Sequence, residues 1–507
     1  MELSLERRPI TVNETILDIN TEQAVESDVL LADYYPRISR ILHCSVDTSA
    51  EQAVVSGERL IIDGMAVCRI LYKSEEGAPA AVTVKLPYSK TVELRRAPQK
   101  PQVYVKAQPG YFSCRAVNSG RIDIRGAVVL SCKVISTTET EAVGSAQGGG
   151  VQCRCRDICC GRLLRYTTKS FLVRGEETLS SDIPAAATLL RSSATVGETS
   201  FKVVGGKIVA KSDAEVKLLL IDGDRALYRD SFQLPVSEIL DAEGADEDSI
   251  CSVAFTVDWV DVKLSSAAAD EQPTASAELC ITAKIWAMNN ETGSFMVDCF
   301  STGYETAQES RPFSISQGAD PVHRTVPVEQ ELTLPDSTEE VLDLWTELAE
   351  ETVTGGDHVL KICGRVRFCA LVQMEGGEPE YVEQTADFCE DVPVEGPLAE
   401  ILPALSARLE EQKNQGSGIL ARAAVQADVA FSLGDKAQLI TEVTVDENRP
   451  VKPKNAGCLT LYFPERGEQV WDIAKRYSTS PSLILQENGL QDDGAVGEGM
   501  LLIPAIR

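Results

Sequence analysis

The sequence predicts a mainly β fold: three repeated antiparallel β-rich units, followed by a small α+β domain with the order strand, helix, helix, strand (βααβ). Three observations carry this reading. Apolar residues alternate at Ala214, Val216, Leu218 and Leu220, the mark of a strand with one buried face. Similar strand-and-turn patterns return at about 150-residue intervals between Glu22 and Pro450. Paired short helical patterns stand out only in the segment from Cys458 to Arg507.

A chain of 507 residues with 43% hydrophobic and 25% charged content fits three or four folded domains. The formal net charge of −29 argues against nucleic acid and anionic lipid as partners. A basic protein surface suits it better, although such a charge also serves simple solubility. The start, Met1 to Pro9, lacks the apolar core of a signal peptide. No run reaches the roughly 18 apolar residues of a membrane span. No membrane insertion and a cytoplasmic location are therefore expected. The 15 cysteines, among them Cys68, Cys132, Cys280 and Cys363, sit mostly in strand-like runs and read as reduced, packed thiols.

The repeated units are placed at 22–150, 151–312 and 313–450. Each begins with an approach segment: Ser27–Pro36, Glu177–Pro184 and Glu331–Pro335. A glycine turn follows at Gly57, at Gly205 and Gly206, and at Gly355 and Gly356. Next come strand pairs at Arg59–Tyr72, Lys207–Ile221 and His358–Leu371. Hairpin signals then occupy matching places, Glu76-Gly77, Asp222-Gly223 and Gly376-Gly377. Each unit closes on a long strand: Arg125–Val134, Ala277–Ile285 and Ala421–Phe431. A short helix over Glu400–Leu409 competes with a strand there, and the strand matches its siblings better. Recurrent hairpins without long crossover helices favour antiparallel sheets. Linkers are expected at Gly144–Gly150, at Asn290–Gly293 with Thr302–Arg311, and at Asp446–Gly457.

The final segment, 458–507, opens with a β-type run, Leu459–Phe463. Val470, Ile473, Ala474 and Tyr477 then fall on one helical face. Ser480 and Pro481 start a second helix, Gly489 ends it, and Met500–Ile503 forms a last strand before Pro504. The turn Gly467-Glu-Gln-Val-Trp471, the pair Ile473-Ala474, the run Asn488-Gly489-Leu490, and Gly497 and Gly499 before Leu501–Pro504 together resemble the LysM domain family. That resemblance implies a shallow groove for N-acetylglucosamine-containing glycans, lined by Gly467, Glu468, Gln469, Val470, Gln486, Asn488 and Leu490. Trp471 joins them as a position to mutate. Gln469 and Val470 replace the family's small hydroxyl residue and leucine.

Three units followed by such a tail resemble the SPOCS-domain proteins of spore-forming Clostridia. Arg165–Lys169 and Cys299–Tyr304 are further carriers of the resemblance. It implies a non-enzymatic scaffold in spore coat assembly, in the mother-cell cytoplasm at the forespore surface. There the LysM domain would dock the coat-building ATPase or another coat protein. The alternative is a peptidoglycan-binding protein whose tail acts as a lectin.

The densest chemical cluster is Cys153, Cys155, Cys159 and Cys160. It reads as a weak zinc candidate, as an oxidation-prone or cross-linking thiol patch, or as an incidental cluster. His43, His323 and His358 stand in no triad or metal spacing, and no phosphate-binding loop or nucleophile elbow appears. Neither an enzyme nor a cofactor is expected. The acidic runs Asp241–Asp248 and Glu375–Glu380 read as solvated loops, or as docking sites for basic segments.

Overall fold

The structure, a computed structural model, describes residues 3–265, 272–356, 358–415, 418–451, 459–491 and 499–505. The first unit runs β1 (Ser4–Leu30), β2 (Ile38–Ser56), β3 (Arg59–Ser74), β4 (Pro79–Glu93), β5 (Pro101–Asn118) and β6 (Arg121–Gln147). These form two antiparallel sheets, β2-β3-β4 and β1-β6-β5. Their middle strands explain why the sheets stack. Leu60, Ile62, Ala66, Cys68, Ile70 and Tyr72 of β3 are buried, as are Ile122, Ile124, Val128, Leu130, Cys132 and Val134 of β6. Alternate residues point to one face, so the two rows meet as one sandwich core. Each fully buried aliphatic side chain is worth roughly 1.5–3 kcal/mol.

The same pairing scheme returns twice. β7 (Val151–Thr178), β8 (Thr188–Val196), β9 (Ser200–Val204), β10 (Lys207–Ile221), β11 (Leu227–Asp241), β12 (Ile250–Ser265) and β13 (Thr274–Ser301) give β11-β10-β8, with β9 also on β10, and β12-β13-β7. The alternating row at Ala214, Val216, Leu218 and Leu220 is buried on β10. Next come β14 (Tyr304–Gly318), β15 (Val322–Thr333), β16 (Thr338–Gly356), β17 (Val359–Met374), β18 (Pro379–Pro393), β19 (Leu398–Gln415) and β20 (Gly418–Pro450). They form β16-β17-β18 and β14-β20-β15, with β19 also on β20. Leu360, Ile362, Val366 and Phe368 of β17 face Ile419, Ala421, Ala423 and Val425 of β20 in that core.

In each unit the first strand pairs with the last along its length, from Ser4↔Gln147 to Leu30↔Arg121 in the first unit. The β7–β13 pairing reaches Val151↔Ser301, and the β14–β20 pairing reaches Tyr304↔Pro450. The ribbons so formed pack on one another through Ile10, Ala142, Ile158, Phe295, Phe313 and Leu439. Nearer their tips, Val143, Met296, Cys299, Ile440 and Val443 do the same. At the ribbon bases Tyr104, Tyr166, Trp286 and Leu402 join all three units. Ion pairs add direction: Lys106 with Glu351, Lys133 with Glu400, Arg191 with Asp343 (2.6 Å) and Lys85 with Asp261 (2.9 Å). Removing one partner of a buried pair costs about 3–5 kcal/mol, because the other charge stays behind.

Several expectations need correction. The boundary at residue 22 falls inside β1, and that at 312/313 inside β14. The tether at Gly144–Gly150 is instead the end of β6 plus a tight turn. Gly148, Gly149 and Gly150 there all hold positive φ, and Val151 N–H donates to the Gly148 carbonyl (3.1 Å). Asn290–Gly293 lies within β13, and Thr302 and Gly303 alone separate β13 from β14. Asp446–Pro450 completes β20, while 452–457 and Gly497 lie outside the described residues. Glu400–Leu409 is strand, part of β19. Gly355 and Gly356 end β16, and His358 takes the left-handed turn position (φ 61°). The sulfurs of Cys44 and Cys114 lie side by side, as do those of Cys363 and Cys389, so these four are paired neighbours rather than isolated packed thiols. The second pair stands directly opposed across β17 and β18.

Two glycines in strand interiors have a steric reason. Gly64 faces Tyr88 across β3 and β4, and Gly364 faces Phe388 across β17 and β18. A β-carbon at Gly64 would sit 2.2 Å from the Ser49 carbonyl and 2.4 Å from the Tyr88 ring. At Gly364 it would sit 2.4 Å from the Glu350 carbonyl and 2.7 Å from the Phe388 ring. The aromatic ring fills the space the glycine leaves. Gly64→Val should therefore destabilise the fold by about 1–3 kcal/mol through overpacking. A thermal melt checks this, and an unchanged midpoint refutes the steric account.

Candidate docking site

The tail comprises β21 (Leu459–Tyr462), α1 (Val470–Tyr477), α2 (Pro481–Asn488) and β22 (Leu501–Pro504), with β21 and β22 antiparallel. Gly467 (φ 87°) turns the chain into α1, and Gln469, still extended, precedes its first residue. Ser478 (φ 51°) ends α1, Ser480 and Pro481 open α2, and Gly489 (φ 62°) closes it. Val470, Ile473, Ala474, Ile484, Leu501 and Ile503 form the small core.

The sequence-derived groove residues divide by exposure. Gly467 and Gln486 are exposed, Glu468, Gln469, Asn488 and Leu490 are half-buried, and Val470 and Trp471 are buried. Asn488 is committed inside the fold. Its side-chain amide donates to the Ile484 and Leu502 carbonyls (both 2.7 Å), and its oxygen accepts from Leu502 N–H (2.7 Å). It ties α2 to β22. Glu468 pairs with Arg476 (2.7 Å) and accepts from the Tyr462 hydroxyl (2.7 Å). Burial pushes its carboxyl up, but the Tyr462 hydrogen bond, the Glu465 N–H and the Arg476 charge outweigh that and hold it below the ordinary value. The entry and exit loops thus keep an open rim, while the inner wall is already occupied by the chain's own contacts.

Trp471 turns away from that rim onto β13. Its ring meets Phe300 edge-on, with centroids 5.1 Å apart, and its N–H donates to Asp298 (2.8 Å). Lys475 Nζ donates to both Asp298 oxygens (2.6 and 2.8 Å), and the Ser480 hydroxyl donates to Gln152 (3.1 Å). The tail is therefore seated on the tip of the second ribbon. Sequence reasoning missed Asp298, because nothing near it in the chain signals a partner at Trp471.

The cysteine cluster does not converge. Cys153 and Cys159 lie six positions apart on β7, roughly 20 Å at about 3.3 Å per residue. Cys153 donates to the Ala146 carbonyl (3.4 Å) and Cys155 to the Gly144 carbonyl (3.2 Å), whereas Cys160 is buried among the ribbons. Extended backbone spreads the four sulfurs too far for one ion. Among the described residues no His/Cys/Asp/Glu group could hold a metal.

A cleft of about 1870 Å³ opens between the three units, lined by His43, Asp47, Arg69, Arg191, Trp259 and Asp343 among others. Its charges are largely paired, Arg69 with Asp47 (2.5 Å) and Arg191 with Asp343 (2.6 Å). His43 stacks on Tyr381 (centroids 4.0 Å apart), and burial pulls its pKa down. Asp258, on a bulge of β12, is half-buried at the cleft. Burial lifts its carboxyl to about 7, against the Thr282 hydrogen bond (2.6 Å) and the Lys284 charge. His323 pairs with Asp428 (2.6 Å) at the surface. Of the acidic runs, Glu378 pairs with Lys73 of the first unit (2.6 Å), and Asp246 caps its own loop by accepting from Ser249 (2.8 Å). Of these contacts, the Arg191–Asp343 and Lys73–Glu378 pairs and the His43–Tyr381 stack cross from one unit to another.

A family model described as SipL, SPOCS domain, matches residues 37–117 and 186–265. The two segments span β2–β5 and β8–β12, equivalent places in the first and second sandwiches. No curated protein and no solved structure matches the chain. Among the described residues no helix is long and apolar enough to cross a membrane.

The Asp298 contacts carry a prediction. Burial raises its carboxyl, but the Lys475 and Trp471 hydrogen bonds win and hold it below 3.8. A lowered value stabilises the seated tail at pH above 3.8, and that contribution is lost as pH falls through the lower, docked value. Asp298→Asn should speed exchange of the Trp471 indole N–H about tenfold or more, as for a charge-assisted bond worth ~1.5–3 kcal/mol. The indole proton signal in NMR reads this. An unchanged exchange rate means that Asp298 does not hold the tail.

Proposed function

We propose, from two segments that match the SPOCS family model, that this chain is a non-enzymatic scaffold in spore coat assembly. The third sandwich, in which β14 and β15 together take the place of a single first strand beside β20, is read as a further unit of that kind. The βααβ tail is read as a LysM-type module that docks the coat-building ATPase or another coat protein. Its working place is then the mother-cell cytoplasm, at the forespore surface.

The observation that carries the reading is the pair of matched segments at equivalent places, beside a tail set at a ribbon tip with its loop rim open. Paired charges in the inter-unit cleft suit a role in spacing and contact. The peptidoglycan reading has less support, since the Asn488 amide is used within the fold and the family's hydroxyl residue is replaced by Gln469.

Deleting residues 458–507 should abolish recruitment of a fluorescent fusion to the forespore surface in a sporulating host. Recruitment that persists without the tail refutes the docking role. Retention of the purified chain on insoluble peptidoglycan would favour the glycan reading instead.

A further inference from the structure

Among the described residues, the outer face of the tail's sheet is apolar and uncovered. Leu459 is 47% exposed, Leu461 59%, Phe463 71% and Met500 52%, with the tail seated on β13. The register sets Leu459 opposite Pro504 and Leu461 opposite Leu502, and exposed Phe463 and Met500 flank the ends of the two strands beside them. Two apolar cross-strand pairs therefore share one face, with Phe463 and Met500 at their end, and no charged residue among the described residues of the two strands interrupts them. The other face is used: Leu501 and Ile503 are buried in the tail's own core, and Tyr462 packs against it. The packing of this small domain gives no reason for the outer face to be apolar. Contiguous exposed apolar patches of this kind mark interaction sites.

The geometry points to this face as the docking surface for a cationic amphipathic helix of a partner protein. The inference rests on the docking-module reading and places its contact on the sheet rather than in the loop groove. Size and charge select the occupant. Two strands of four residues offer a platform about 13 Å long and roughly 10 Å wide, the footprint of two to three helical turns. Apolar side chains at helical spacing would cover this patch. The flanks of such a helix would meet a chain of net charge −29, with 77 acidic residues against 48 basic ones. That favours lysine and arginine on the flanks and speeds their approach. A second copy would bring the same negative charge and is disfavoured for the same reason.

The test uses the full chain and a 14-residue helical peptide of leucine and lysine with apolar residues on one face. A second peptide replaces lysine with glutamate. Fluorescence anisotropy is read in 0.1 M salt, where charge still acts over about 10 Å and the sign of the flanking residues can be told apart. The lysine peptide should bind, and at least tenfold more weakly to Leu461→Gln/Phe463→Gln. Val204→Gln, at an equally exposed apolar residue of the second unit, should bind as the wild type does. Equal binding to the face variant overturns the inference, as does equal binding of the glutamate peptide. Loss of binding in Gln469→Ala/Gln486→Ala with the face intact moves the contact to the groove and also overturns it. Self-association of the full chain that the face variant abolishes assigns the surface to a second copy instead. Because the readout needs no sporulating host, its failure is separable from that of tail deletion in the cell.

Discussion

Everything in the architecture depends on one pairing, that of each unit's first strand with its last. The hydrogen bonds from Ser4↔Gln147 to Leu30↔Arg121 close the first sandwich and then run beyond it as a ribbon. Because both chain ends of a unit leave at the ribbon tip, the next unit can start only there. The turn Gly148–Gly150 therefore abuts the turn at Thr302, whose N–H donates to the Gly150 carbonyl (3.0 Å). Val451 N–H reaches the Gly303 carbonyl (2.9 Å) at the same place. The tail is delivered to that tip by connectivity, and Asp298 and Phe300 of β13 stand ready to seat it.

The units then face one another with charge as well as apolar surface. Trp259 of the second donates to the Ser49 hydroxyl of the first (3.1 Å), and Lys85 of the first lies 4.3 Å from the centroid of that indole ring. His43 of the first stacks on Tyr381 of the third, and Trp345 of the third meets it edge-on. Such directional contacts fix how the sandwiches are oriented, which apolar packing alone leaves loose. A cleft lined by paired ions, with Asp258 on its wall, belongs to this joint.

Much of this was legible in the chain because strand patterning is local. The alternation along β10, the hairpin turns near Gly77, Gly223 and Gly377, and the α2 boundaries at Ser480 and Gly489 depend on neighbours in sequence alone. The unit boundaries were not legible. Residues 4–21 are mixed and charged, and only their partners in β6 make them strand. The glycines at 144–150 resemble a tether, but Gly144 lies against Arg8 and the last three form a tight turn. At the tail, Trp471 fits a groove motif by sequence, but its position is settled by residues far away in the chain.

The ribbons also set an order of events at the ribosome. β1 emerges well before β6, since its partner begins only at Arg121, a wait on the order of ten seconds at typical synthesis rates. An unpaired strand of that length is a hazard for aberrant association. Glu6, Arg7, Arg8 and Pro9 near its start are the residue types that keep a lone edge from sticking to others. The same charges that make the segment hard to recognise as strand thus protect the nascent chain until closure.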